Sequence, residues 1–114
     1  MVETFAKISG DTNPIHLSDD YAKKTRFGKR IAHGMLVASF VSRVLGCYFP
    51  GEGTIFLKSE MKFMNPVYIG DIVTIKVIVT EKVDDKNRLI LKTLCKNHEG
   101  KIVLDGSALV LYNK

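Results

Sequence analysis

The sequence predicts an α+β fold in which an antiparallel β-sheet wraps around one long buried central helix. Three observations carry that expectation. The stretch from Ile31 to about Tyr48 is apolar on almost every side, as a buried helix is. From Ile55 onward, hydrophobic residues alternate with polar ones, which is the spacing of strands. Two turn-forming clusters, Asp84-Asp85-Lys86-Asn87 and Asn97-His98-Glu99-Gly100, fall where hairpins would join those strands.

Taken in order, Val2 to Ser9 reads as a short helix with Val2, Phe5, Ala6 and Ser9 towards one side, ended by Gly10. A loop through His16 leads to a second short helix around Asp19 to Lys24, for which Ser18 is a suitable N-cap. A looser segment, Thr25 to Arg30, precedes the apolar helix. Ile31, Ala32, Met35, Leu36, Val37, Ala38, Phe40, Val41, Val44 and Leu45 leave that helix no polar face, and Phe49-Pro50-Gly51 stops it. Burying five of its large side chains contributes on the order of 10 kcal/mol of gross transfer energy before entropy is subtracted. In the first strand Ile55, Leu57, Met61 and Phe63 alternate with Phe56, Lys58, Glu60 and Lys62. Val73, Ile75, Val77 and Val79 do so in the second, and Leu89, Leu91, Thr93 and Cys95 in the third. Ile102 to Tyr112 forms the last.

With 114 residues and 46% hydrophobic content, the chain suits one globular domain, 1–114, with a modest core. No apolar run reaches the ~18 residues of a membrane span. The start, Met1-Val2-Glu3-Thr4, lacks the layout of a secretory signal, so a cytoplasmic location is expected. Cys47 and Cys95 fit neither a metal spacing nor a redox pair and read as reduced packing residues. The three histidines do not cluster with them, and no metal site is expected. The net charge of +5 comes from lysines scattered through strands and hairpins, without the aromatic and basic interleaving of a nucleic-acid surface.

Chemistry concentrates in Gly10-Asp11-Thr12-Asn13-Pro14-Ile15-His16. Pro14 fixes its own φ and disfavours helix at Asn13, while Gly10 permits turn angles other residues avoid. A carboxylate and an imidazole displayed on such a loop are the usual parts of an acid–base pair. Alone, the spacing more often describes an Asp turn followed by a core or capping histidine.

The surroundings add to it. Phe5-Ala6-Lys7-Ile8-Ser9 lies upstream and Leu17-Ser18-Asp19-Asp20-Tyr21-Ala22 downstream. Then come Phe27-Gly28, Ile31-Ala32-His33-Gly34-Met35-Leu36, Pro50-Gly51-Glu52-Gly53-Thr54-Ile55-Phe56-Leu57 and Asn65-Pro66-Val67-Tyr68-Ile69-Gly70-Asp71. From about Phe5 to its end the chain resembles the MaoC-like family of (R)-specific enoyl-CoA hydratases and 3-hydroxyacyl dehydratases, which have the hot dog fold. The resemblance implies reversible, stereospecific hydration of trans-2-enoyl-CoA to (R)-3-hydroxyacyl-CoA, or the reverse dehydration, without a cofactor. It implies Asp11 and His16 as the dyad that activates water. Among substrate-binding residues, Asn13 would fix the loop through its amide or serve as a turn residue. Gly34, at the start of the long helix, would offer its N–H to the thioester oxygen, or be kept for helix–sheet packing. Ser42 matches a position lining the acyl pocket, though a serine there equally suits a bond to the carbonyl of Ala38. His33 reads as an anchor for the loop. Family members usually begin with a strand ahead of the first helix, and almost nothing precedes Glu3, so that strand is expected to be short or missing.

The expected partners are an acyl-CoA or acyl-carrier-protein thioester and a second copy of the chain, as a homodimer or higher homo-oligomer, with neither nucleic acid nor membrane. Lys58 and Lys62, on one strand face, are candidates for the coenzyme phosphates. Two other functions remain open. A hot dog thioesterase would need a carboxylate on or near the long helix, and Ile31 to Tyr48 contains none. A non-catalytic acyl-CoA-binding module would have no need of the Asp11/His16 pair.

Overall fold

Alternating sequence in the second half of the chain folds into four antiparallel strands, and the apolar segment before them packs on one face. A computed structural model describes residues 1–83 and 86–112. Its elements are α1 (Val2–Ser9), α2 (Pro14–Leu17), α3 (Asp19–Lys23), α4 (Gly34–Arg43) with a π-helical extension at Val44–Tyr48, then β1 (Ile55–Phe63), β2 (Val73–Val83), β3 (Arg88–Asn97) and β4 (Ile102–Leu111). The sheet order is β1-β4-β3-β2, so β1 and β2 are edges and β3 and β4 form the centre.

The core follows from that order. Val37, Ala38, Val41 and Leu45 on one side of the helical segment meet Leu89, Leu91 and Cys95 of β3 and Val103, Leu104, Ala108 and Val110 of β4. Fully buried side chains such as Leu45, Leu91 and Leu104 each contribute about 2 kcal/mol of gross transfer energy. This is the sheet-around-helix arrangement expected from the sequence.

The long helix differs from expectation in two ways. It does not begin at Ile31: the Ile31 N–H goes to the Ile15 carbonyl at 3.3 Å and the Ala32 N–H to the Val67 carbonyl at 2.7 Å. Distant strand-like partners thus hold both residues extended, and Ile31 forms an isolated bridge with Tyr68. Nor is α4 enclosed on every side. Met35 is 62% exposed, and Ser39, Ser42 and Arg43 are exposed with it. One four-stranded sheet covers one face of a helix, and none of the described strands covers the other.

In β1 the expected phase holds only in part. The residues that reach the core are Phe56 and Met61, while Ile55, Leu57 and Phe63 are exposed. Phe56 pairs with Val110 and Lys58 with Leu109, leaving Leu57 as an extra residue in the ladder. A bulge of this kind shifts the alternation by one. β3 keeps its phase, burying Leu89, Leu91, Thr93 and Cys95. A second irregularity pairs Cys95 with Leu104 and Lys96 with Ile102, so Val103 and Leu104 are adjacent and both buried.

The caps are local. Gly10 ends α1 in the left-handed region at φ 78°, and Ser18 caps α3 by accepting from the Tyr21 N–H. The β3–β4 turn closes as its residues suggest: Asn97 Oδ1 accepts from the Glu99 and Lys101 amides, and Gly100 sits at φ 81°. In the other expected turn, Asp84 and Asp85 lie outside the described residues.

Candidate active site

Residues 10–16 form a loop that opens into the single turn of α2, bolted onto the extended segment 30–33. Within the loop, Asp11 accepts from the Asn13 N–H at 3.2 Å and Asn13 Oδ1 accepts from the Ile15 N–H at 3.2 Å. Asn13 is therefore the N-cap of α2 with Pro14 in its first turn, where proline's missing N–H costs nothing. This short helix carries His16 inward, 8% exposed, while Asp11 stays at the surface.

Several contacts fix the loop to its platform. His16 Nδ1 lies 2.7 Å from the Ile31 carbonyl oxygen. A carbonyl only accepts, so Nδ1 carries the proton and Nε2 keeps a free lone pair. His33 Nε2 donates in the same sense to the Asp11 carbonyl at 3.0 Å, and the His33 ring stacks on His16 with centroids 3.8 Å apart. Phe5 of α1 packs against the other side of His33 at 4.9 Å. Arg30 completes the frame. Its Nη1 reaches Glu3 at 3.1 Å and the His16 carbonyl at 3.4 Å, and its Nε reaches Asp19 at 3.0 Å, which joins α1, α2 and α3. Hydrogen bonds from its own backbone and from Arg30 hold the Glu3 carboxyl below the ordinary carboxylate range.

Asp11, His16 and His33 each place a potential ligand atom within 4.8 Å of the others. Their spacing alone would admit a metal ion. The ring geometry argues otherwise: the imidazoles are stacked at 27° with centroids 3.8 Å apart, so their lone pairs lie in separate, nearly parallel planes, whereas one ion needs them to converge. Atoms within 4.8 Å of one another are instead suited to a bridging water that hydrogen-bonds to both.

Gly34 is the first residue of α4, next to the N-cap His33, which has no capping side-chain bond. The Leu36 and Val37 amides both turn back to the His33 carbonyl, and the first amides of any helix lack intrahelical acceptors. A Cβ at Gly34 would come within 2.9 Å of the Phe63 ring, so the packing expected of this glycine is present. Gly34 and Phe63 also line a cavity of about 240 Å³ with Arg26, Phe27, Asn65 and Val67. A larger cavity of about 550 Å³ lies between α4 and β2, walled mainly by Leu36, Val37, Phe40, Val67, Val73 and Ile75.

The structure thus brings Asp11, Asn13 and His16 together and sets Gly34 directly after His33. Ser42 is apart from them, exposed on the outer face of α4. It lines neither cavity. Its hydroxyl makes no hydrogen bond among the described residues, whereas Ser39 bonds the Leu36 carbonyl at 2.6 Å. Sequence reasoning did not find Arg30 or the carbonyl of Ile31, because both act across 14 or 15 residues and neither belongs to a local pattern.

Comparison with known proteins agrees with this architecture. A family model described as MaoC like domain matches residues 1–101. The chain is 49% identical over 107 residues to an (R)-specific enoyl-CoA hydratase of Rhodospirillum rubrum, covering 94% of this chain and 74% of that protein. It is 47% identical over 106 residues to a 3-hydroxybutyryl-CoA dehydratase of Methylorubrum extorquens, covering 93% and 67%. The structure of an (R)-hydratase from A. caviae involved in PHA biosynthesis superposes with a TM-score of 0.96 at 40% identity, over 98% of this chain and 85% of that one. With its helix packed on an antiparallel sheet and its loop of Asp11 and His16 ahead of that helix, this chain belongs to the MaoC-like family and has the hot dog fold.

Proposed function

We propose that this protein is a lyase that adds water reversibly to trans-2-enoyl-CoA to give (R)-3-hydroxyacyl-CoA, with Asp11 and His16 as its acid–base pair. The observation that carries the reading is the paired tethering of these residues. The Ile31 carbonyl frees His16 Nε2 for proton transfer, and His33 holds the backbone of Asp11 beside it. In the forward direction the pair orients a water and takes one of its protons as oxygen bonds to Cβ. A proton returned to Cα completes the addition, so nothing is oxidised or reduced. Each such transfer contributes typically ~10²–10⁴-fold. As Cβ is attacked, charge grows on the thioester oxygen. The Gly34 N–H at the positive end of α4 is the donor for it, a contact of a kind that contributes about 3 kcal/mol.

Asn13 acts here by fixing the loop, since its side-chain oxygen is occupied by the Ile15 amide. Ser42 is assigned to the acyl pocket only through a second copy of the chain, because its own chain leaves it outside. A homodimer is part of the proposal, supported by the exposed Ile55 and Leu57 on edge strand β1 and by Met35 on the open face of α4. A cytoplasmic location rests on two cysteines that fit no pairing pattern; among the described residues no helix is long and apolar enough to cross a membrane.

The test is the absorbance of the conjugated enoyl band of crotonyl-CoA with a free-thiol reagent in parallel. Loss of the band without thiol release, giving a product oxidised by an (R)-specific dehydrogenase, is the expected result. Thiol release would make the protein a thioesterase, and binding without any reaction would make it an acyl-CoA-binding module.

A further inference from the structure

The segment Lys23-Lys24-Thr25-Arg26-Phe27-Gly28-Lys29-Arg30 places five cations in eight residues, next to the platform yet outside the acid–base chemistry. Only Arg30 is neutralised, by Glu3 and Asp19. Lys23, Lys24, Arg26 and Lys29 are exposed, and among the described residues none has a carboxylate within ion-pair distance. Two of them are held in place. The Arg26 guanidinium lies over the Phe27 ring and the Lys29 ammonium over the Tyr68 ring, each at 5.0 Å. The Tyr68 hydroxyl in turn donates to the Phe27 carbonyl at 3.1 Å. Aromatic faces hold these cations without neutralising them, so their charge remains available to an anion.

Position gives this charge a direction. Arg26 and Phe27 line the same cavity of about 240 Å³ as Gly34, so one continuous wall runs from the start of α4 to the cationic loop. We propose that this loop binds the phosphate groups of coenzyme A when the thioester lies against Gly34. The assignment rests on the hydratase reading for which end of the cavity takes the thioester. Four unpaired cations in one short loop match the footprint of a few phosphates, whereas the face of an acidic carrier protein would call for a broad basic surface. The strand candidates serve less well: Lys58 lies 3.6 Å from Glu60, and Lys62 stands opposite Asp105 in the sheet.

The experiment compares binding of coenzyme A, dephospho-coenzyme A and pantetheine to the intact protein and to Lys23→Gln/Lys24→Gln/Arg26→Gln/Lys29→Gln. The wild type is expected to prefer coenzyme A over pantetheine by about tenfold or more, the scale of one or two charge-assisted contacts. That preference shrinks with added salt, with dephospho-coenzyme A intermediate. The variant is expected to lose the preference, and Lys23→Gln/Lys24→Gln, which leaves the cavity wall untouched, is expected to hydrate crotonyl-pantetheine at the wild-type rate. Should the fourfold variant fail to fold, Lys23→Gln/Lys24→Gln alters only cations without partners and is expected to lose part of the preference. An unchanged preference in either folded variant, or an equal loss for coenzyme A and pantetheine, would overturn the proposal. So would a loss confined to crotonyl groups carried on acyl carrier protein. If the wild type shows the preference and the variant loses it, yet no enoyl thioester is hydrated, the loop assignment stands and the hydratase reading fails.

Discussion

Replacing His33 with phenylalanine separates the hydrogen bond to Asp11 from the ring that carries it. His33 is 2% exposed and stacks on His16, with Phe5 on its other side. A phenyl ring keeps both contacts. It removes the Nε2 bond to the Asp11 carbonyl, a net loss of about 1 kcal/mol for a bond whose acceptor water can reach. It also removes His33 Nδ1, which is buried without a partner, and relief of such a group returns about 1 kcal/mol or more. The two nearly cancel, and the larger ring costs about 1–2 kcal/mol in a tight site. Stability should therefore fall by no more than about 2 kcal/mol, or about 8 °C in Tm for a chain of this size. Activity should respond differently. Asp11 loses its backbone tether, and misplacing a reacting group by about 1 Å costs up to ~10²-fold. In the crotonyl-CoA assay we expect kcat to fall by about tenfold or more with KM little changed, whereas His33→Ala should also unfold more readily, by about 3 kcal/mol. Wild-type kcat in a folded His33→Phe protein would refute the idea that this bond positions Asp11.

Gly106 of β4 stands opposite Met61 of β1, and a Cβ there would run into the Glu60 carbonyl oxygen and come within 3.2 Å of the Met61 Cα. Backbone cannot rotate away, so Gly106→Ala should cost about 3 kcal/mol or more, read as a lowered urea midpoint; an unchanged midpoint would mean that β1 yields freely. Cys95 is buried in the core, and burial pushes its thiol up to about 11 from 9.0. Because the folded state resists ionisation, its contribution to stability is whole below the unfolded value and lost as pH rises towards the folded one. The difference is about 2–3 kcal/mol between about pH 9 and about pH 11. Urea midpoints across that range should show the loss in wild type and lack that component in Cys95→Ala. A thiol reagent should react at once with Cys47, which is exposed, and with Cys95 only as fast as the protein opens.

Local chemistry made much of this molecule legible in its sequence. Gly10 ends α1, Ser18 caps α3, and Leu89, Leu91, Thr93 and Cys95 point inward because short-range geometry determines each of them. The inward turn of Phe56 at the start of β1 was not legible, since the bulge at Leu57 carries no side-chain signature and one extra residue inverts the residues before it. Ile31 and Ala32 look helical by composition, and the carbonyls of Ile15 and Val67 that draw them out lie far along the chain. At the site, Asp11 and His16 could be singled out from their spacing and surroundings. What holds them, the Ile31 carbonyl, the stacked His33 and the Arg30 clamp, depends on tertiary contacts that no sequence period records.

The most direct test of the account compares crotonyl-CoA hydration by wild type, Asp11→Asn and His16→Gln, each first shown to unfold at the wild-type urea midpoint. Both substitutions keep side-chain size and remove the ability to exchange a proton at neutral pH. We expect each to lower kcat by about 10²-fold or more, with coenzyme A binding unchanged. Near wild-type turnover in either folded variant would contradict the assignment of Asp11 and His16 as the acid–base pair.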